Sequence, residues 1–256
     1  MASRSIILSA LEGIPLVRLG DDLGALLAHA MRADIVTRPA DGDILVVAQK
    51  VVSKSEGRFV DLMSVVPSQC ANALAETVGK DPRLVEVILS ESTEVVRYKR
   101  DVLIVAHRLG FVMANAGVDQ SNVGPDGDER VLLLPLAPDE SAAKLKAQLD
   151  REFGVDLGVI INDSFGRPWR NGVVGVALGA AGVPALRNLV GAPDIFGRKM
   201  RVTEVAMADE IAAAASLLMG QGDELIPAVH VRGVARHTER VPASALIRSK
   251  ETDMFR

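Results

Sequence analysis

Four short apolar runs that stop on polar residues constrain this chain most: ILVVAQKVV at 44–52, VLIVAH at 102–107, LGVIIND at 157–163 and AVHVRG at 228–233. Runs of this length, rich in Val and Ile, read as buried strands. FVMAN at 111–115 adds a shorter one, with Arg108-Leu109-Gly110 as the turn of a hairpin. Between them, 21–34, 66–79, 82–98, 140–153 and 205–219 carry helical spacing. Strands and helices do not alternate regularly, so the expected fold class is α/β (α+β) with mixed sheets.

A chain of 256 residues with 48% hydrophobic content can bury a core for one large domain or two intimately packed ones. No repeat, low-complexity tract or flexible linker divides it, so any subdivision is two interlocked lobes within residues 1–233. From 234 to 256 the sequence is polar and charged, which predicts a solvated or partner-covered C-terminal tail.

Composition excludes several classes. Cys70 is the single cysteine, so no intramolecular disulfide forms, and its setting in VPSQCANALAETVG is that of a packed helix rather than a nucleophile. The first residues lack the pattern of a secretory signal. The longest uncharged stretch, 173–186, holds three glycines and a proline and falls short of the roughly 20 residues a membrane span needs, so it reads as core. A net charge of −4 with scattered basic residues gives duplex nucleic acid no footprint. The expectation is a cytoplasmic protein acting on small molecules.

Chemistry concentrates where the apolar runs end. In VIINDSFGRPWRNG, Asp163 and Ser164 supply hard oxygens suited to a divalent ion, while Arg167 and Arg170 suit phosphate or carboxylate; the same Asp-Ser pair could instead cap a helix. In NAGVDQSN, Asp119 and its amide neighbours are a second acidic group, or an Asx-rich loop that caps itself. Ser53, Lys54 and Arg58 offer phosphate donors, though loop lysines are more often simply solvated. LMGQGDE at 218–224 reads locally as a glycine helix stop. Neither G-x-x-x-x-G-K-[ST] nor G-x-G-x-x-G is present, and His29, His107, His230 and His237 show no zinc spacing.

Taken together, EGIPLV at 12–17, GDD at 20–22, VVSKSEGR at 51–58, NAGVDQSN at 115–122, NDSFGRPWRNGVVGVALG at 162–179 and MADEIA at 207–212 resemble the coenzyme F420:L-glutamate ligase family, in order and spacing, up to residue 233. The resemblance implies a ligase that uses GTP to phosphorylate a carboxylate of the F420 precursor and lets L-glutamate displace the phosphate. It implies Mg2+ or Mn2+ as two ions, K+ as a further ion, and a homodimer. By the same resemblance, Asp119 and Asp163 are catalytic metal ligands, joined by Ser164 and Gln221. Nucleotide contacts fall on Ile14, Pro15, Leu16 and Val17, on Gln49, Lys50, Lys54 and Asn122, and on Met219, Gly220, Gln221, Gly222 and Asp223. Gln221 stands where a relative can carry a glutamate, and a neutral amide is the weaker ligand. Two alternatives stay open: a related nucleotide-dependent amide ligase on another phosphorylated carboxylate, or a catalytically silent binding protein.

Overall fold

The computed structural model describes residues 5–123 and 129–254; the first four residues of the start and the last two of the tail lie outside them. In chain order the described residues form β1 (Ile7–Ala10), α1 (Leu23–Ala33), β2 (Ile44–Ala48), α2 (Gln49–Ser55), β3 (Phe59–Asp61), α3 (Gln69–Val78), α4 (Pro82–Ser90), β4 (Ser92–Lys99), β5 (Val102–His107) and β6 (Val112–Ala114). They continue through β7 (Arg130–Leu132), α5 (Pro138–Phe153), β8 (Gly158–Arg167), β9 (Arg170–Ala181), β10 (Arg187–Asn188), β11 (Glu204–Val205), α6 (Met207–Met219) and β12 (Ala228–Arg232).

The main sheet has the order β1-β12-β2-β8-β9, and only β2 and β8 pair in parallel. Alternation along its strands sends side chains to two separate cores. Leu45, Val47, Val159 and Ile161 pack against α1 and α5 on one face. Ile44, Val46, Ile160, Val229 and Val231 pack against α6 on the other. Gly175 on β9 lets α6 lie close, because a Cβ there would meet the Ala212 carbonyl oxygen at 2.5 Å.

A second lobe spans 59–134. It holds α3 and α4 over the β4-β5-β6 sheet and the β3-β7 pair, around Leu62, Val85, Ile88, Leu103 and Val131. Phe111, Met113, Leu134 and Leu178 form a small apolar cluster that joins it to the main sheet.

Helix starts follow their caps. Asp22 accepts from the Ala25 backbone N–H at 3.0 Å, Ser68 from Ala71 at 3.1 Å and Asp81 from Arg83 at 2.8 Å. Three elements differ from the sequence reading. The run at 44–52 is strand only to Ala48; Gln49 opens α2 at once. The helix expected over 82–98 ends at Ser90, and 92–99 is a half-exposed strand whose pairing with β5 outweighs helical spacing. LGVIIND is the first part of a ten-residue strand, so Asp163 and Ser164 stand mid-strand and cap no helix.

The C-terminal tail lies along the body. The Asp139 carboxylate accepts backbone N–H groups from Ala243 at 2.8 Å and Ser244 at 3.1 Å, and Ala243 is fully buried. The apolar stretch on β9 is largely core, with Ala177, Leu178 and Ala180 buried. Exposed apolar side chains gather instead on the hairpin arm that carries β10 and β11, where Ile195 and Phe196 stand at its tip.

Candidate active site

The two acidic segments meet where the lobes touch. β8 carries Asp163 out of the main sheet, on the face that turns toward the second lobe. The opposing loop leaves β6 through a tight turn at Asn115–Gly117 and is pinned by a backbone pairing of Asp119 with Leu132, 2.9 Å in each direction. Asn115 and Ala116 both take positive φ, 52° and 53°, a strained arrangement that aims Asp119 inward.

Burial pushes the Asp163 carboxyl up to about 7, and the charge of Asp119 adds to the rise. Asp119 is raised as well, again by burial, with the Lys50 charge and the Gln49 amide pulling the other way. Two adjacent carboxylates with raised pKa values form a site that a cation stabilises.

α2 supplies the counter-groups. Gln49 Nε2 donates to Asp119 Oδ2 at 2.7 Å, and buried Ser53 donates to Gln49 Oε1 at 2.9 Å, fixing that amide. Lys50 Nζ lies 3.3 Å from Asp119 Oδ1 and donates to the Ser121 carbonyl at 3.1 Å. Lys54 Nζ donates to the Asn122 carbonyl at 2.6 Å. Burial and the neighbouring Lys50 charge both lower the Lys54 pKa.

The loop after α6 closes the other side. Ser164 Oγ donates to Gln221 Oε1 at 2.7 Å, and Asn122 Nδ2 reaches the Gly222 carbonyl at 3.4 Å. Asp119, Asp163, Ser164 and Gln221 thus present oxygen donors, the class that suits Mg2+ and Mn2+. Among the described residues, no group of three or more His, Cys, Asp or Glu side chains gathers in a metal-holding cluster, here or elsewhere; this site has two carboxylates, one hydroxyl and one amide.

The family model for F420-0:Gamma-glutamyl ligase matches residues 13–233. This chain belongs to that family. It is 47% identical over 253 residues to the coenzyme F420:L-glutamate ligase of Methanopyrus kandleri, covering 96% of this chain and 97% of that one. Its identity to the ligase of the same name from Methanothermobacter thermautotrophicus is 45% over 256 residues, covering 98% and 99%. For the Methanocaldococcus jannaschii ligase it is 44% over 216 residues, covering 84% and 85%.

In this family member, Gln49, Lys50, Lys54, Asn122, Gln221 and Gly222 join the acidic pair through the contacts above. The N-terminal segment lies beside this group: Ile14 and Val17 belong to the same apolar core as Val51 and Val52 of α2, while Pro15 and Leu16 are exposed. Met219 is buried, its sulfur 3.3 Å from Asn162 Nδ2, so it backs the site. Gly220 stops α6, and Asp223 is exposed beside it. Arg58 turns away, donating to the Leu134 carbonyl at 2.9 Å and to Glu91 at 3.1 Å, and serves as a lobe fastener rather than a phosphate donor.

The sequence motifs do not single out Asn162. It is 5% exposed, its Nδ2 donates to Ser216 Oγ at 3.0 Å, and its buried Oδ1 has no hydrogen-bond partner among the described residues. The signal was its polarity within an apolar strand.

Proposed function

We propose that this chain is a GTP- and divalent-metal-dependent ligase that joins L-glutamate to the F420-0 precursor through an acyl phosphate. The names of the relatives support the substrates. The observation that carries the chemistry is the pairing of Asp119 and Asp163 at the lobe junction, two raised-pKa carboxylates flanked by Ser164 and Gln221 on one side and by Lys50 and Lys54 on the other.

Asp119, Asp163, Ser164 and Gln221 would hold the metal. A divalent ion held there would supply positive charge to offset that of the phosphate oxygens and of the leaving group. Lys50 and Lys54 exchange their present partners for phosphate oxygens of GTP. The GTP γ-phosphoryl passes to the precursor carboxylate, the glutamate amine attacks the acyl carbon, and amide, GDP and phosphate result. Gln49 and Ser53 keep Asp119 oriented throughout.

A homodimer is part of the proposal. Val190, Ile195, Phe196 and Val202 leave the hairpin arm with apolar side chains from 51% to 91% exposed, a surface that a second copy would cover.

The test is mass spectrometry of purified protein with F420-0, L-glutamate, GTP and Mn2+, beside ATP and chelator controls. A glutamyl mass gain that needs both GTP and metal is expected. No gain while the protein still binds GTP and metal would point to another carboxylate acceptor.

A further inference from the structure

A second opening adjoins Asp163 on the side away from α2. Phe111 and Val112 at the start of β6, Phe165 and Val176 from the β8–β9 ribbon and Ile247 from the tail form its apolar walls, and Asp209, Arg248 and Asp253 bring charged groups to the same lining. Val176 is the register partner of Asp163, and Phe165 lies two residues further along the same strand. Both therefore project from the sheet face that presents Asp163, so the opening lies beside the candidate site, at the β9 edge where it also reaches Ala177 and Asp209.

One wall is aromatic. Phe111 and Phe165 meet edge to face with ring centres 6.2 Å apart and planes at 67°. The free space is about 220 Å³. That is below the roughly 300–1,000 Å³ of pockets that engulf a whole ligand, so the cleft suits one apolar moiety of a larger molecule. The tail is fitted closely over it: a Cβ on Gly110, whose φ is +93°, would meet Ile247 Cγ2 at 2.7 Å.

Strand order supplies the direction. In β2-β8-β9, the helix with Lys50 and Lys54 follows β2, whereas the cleft lies along β9, and Asp163 on β8 stands between them. Phosphoryl transfer needs donor and acceptor on opposite sides of the migrating group. With phosphates on the lysine side, the acceptor approaches from the cleft side. Two carboxylates against one arginine in the lining disfavour the doubly anionic glutamate, whereas the Phe111–Phe165 wall suits the face of a flat ring.

We propose that this edge cleft is the ring subsite of the acceptor substrate, with Ile247 of the tail as its specificity-determining outer wall. The inference rests on the ligase reading above. It places substrate selection in a segment beyond the 13–233 span of the family model.

Ile247→Trp and Val112→Phe fill the cleft from opposite walls, so one serves if the other fails to fold. Steady-state rates are read against acceptor concentration with GTP and glutamate saturating, and acceptor binding without GTP is read by calorimetry. The acceptor KM should rise about tenfold or more, calorimetric affinity should fall in parallel, and the KM for GTP and for glutamate should stay unchanged. Folded variants whose acceptor KM and affinity match the wild type overturn the subsite. Wild-type protein that makes no glutamyl product overturns the ligase reading instead. Calorimetry then decides the cleft separately: acceptor binding that the variants lose supports it, and binding that they keep, or that the wild type lacks, refutes it.

Discussion

Gln49 on α2 donates its amide hydrogen to Asp119 across 2.7 Å, and Ser53 one turn later holds the other end of that amide at 2.9 Å. The first of these contacts ties the main-sheet lobe to the loop of the second lobe. It orients a proposed metal ligand without being one. Gln49→Leu should therefore weaken Mn2+ binding about tenfold or more, as losing an orienting partner does, while unfolding shifts by only about 1 kcal/mol for the Ser53 hydroxyl left unpaired. Calorimetric titration with Mn2+ checks the first figure and urea unfolding the second; unchanged metal affinity would remove Gln49 from this role.

Asp163 gives the fold a pH dependence of unusual sign for a carboxylate. Folded, it keeps its proton up to about 7, while its ordinary value is 3.8. Between those values the folded chain binds the extra proton, so this group lowers stability as pH rises, with the whole cost present above 7. In metal-free protein, Asp163→Asn should unfold like the wild type near pH 4 and be more stable by about 3–5 kcal/mol at pH 8. Denaturant melts at the two pH values give the difference; a gap that is equal at both contradicts the buried, proton-holding carboxyl.

Glu91 behaves oppositely. His107, Arg108 and Arg58 converge on it and hold its carboxyl down to about 2, against an ordinary 4.5. Its contribution is complete above 4.5 and disappears as pH falls toward 2. Glu91→Gln leaves two arginines without their shared anion and should cost about 3 kcal/mol at pH 7, with a smaller deficit at pH 3. Equal stability of the two proteins at pH 7 would show that the cluster fastens nothing.

Legibility in the sequence followed locality. The helix around 21–34 announces itself through Asp22, and the runs that became β2, β8 and β12 are apolar enough to need no partner to be recognised. The strand at 92–99 was hidden because STEVVRYK is half polar and is a strand only through its pairing with β5, across two register shifts. Asp119 and Asp163 could each be picked out, but their meeting across the lobe junction lies in no spacing. The Lys54 contact to the Asn122 carbonyl had no sequence signature, and the polarity of Asn162 within an apolar run did not show which group its amide would meet, since both contacts depend on positions set by distant elements.

One carboxylate gathers three backbone N–H groups, two of them from the tail. Asp139 accepts from Ala180, Ala243 and Ser244, linking α5, β9 and the segment that leads into the cleft wall. Asp139→Ala should loosen 241–248 and cost about 3 kcal/mol. Hydrogen exchange is the direct readout: the amides of Ala243 and Ser244 should lose protection while those of β2 keep theirs, and full protection at both would mean that other contacts hold the tail.

The most direct test of the lobe-junction site is glutamyl transfer to F420-0 by wild type and Asp163→Asn in parallel, followed by mass spectrometry at saturating GTP and Mn2+. Asn keeps the shape and the acceptor oxygen that faces the Ser164 N–H but not the charge. The account predicts glutamylated product from the wild type and a rate at least about a hundredfold lower from the variant. Product formed by the variant at a rate within about threefold of the wild type would contradict it.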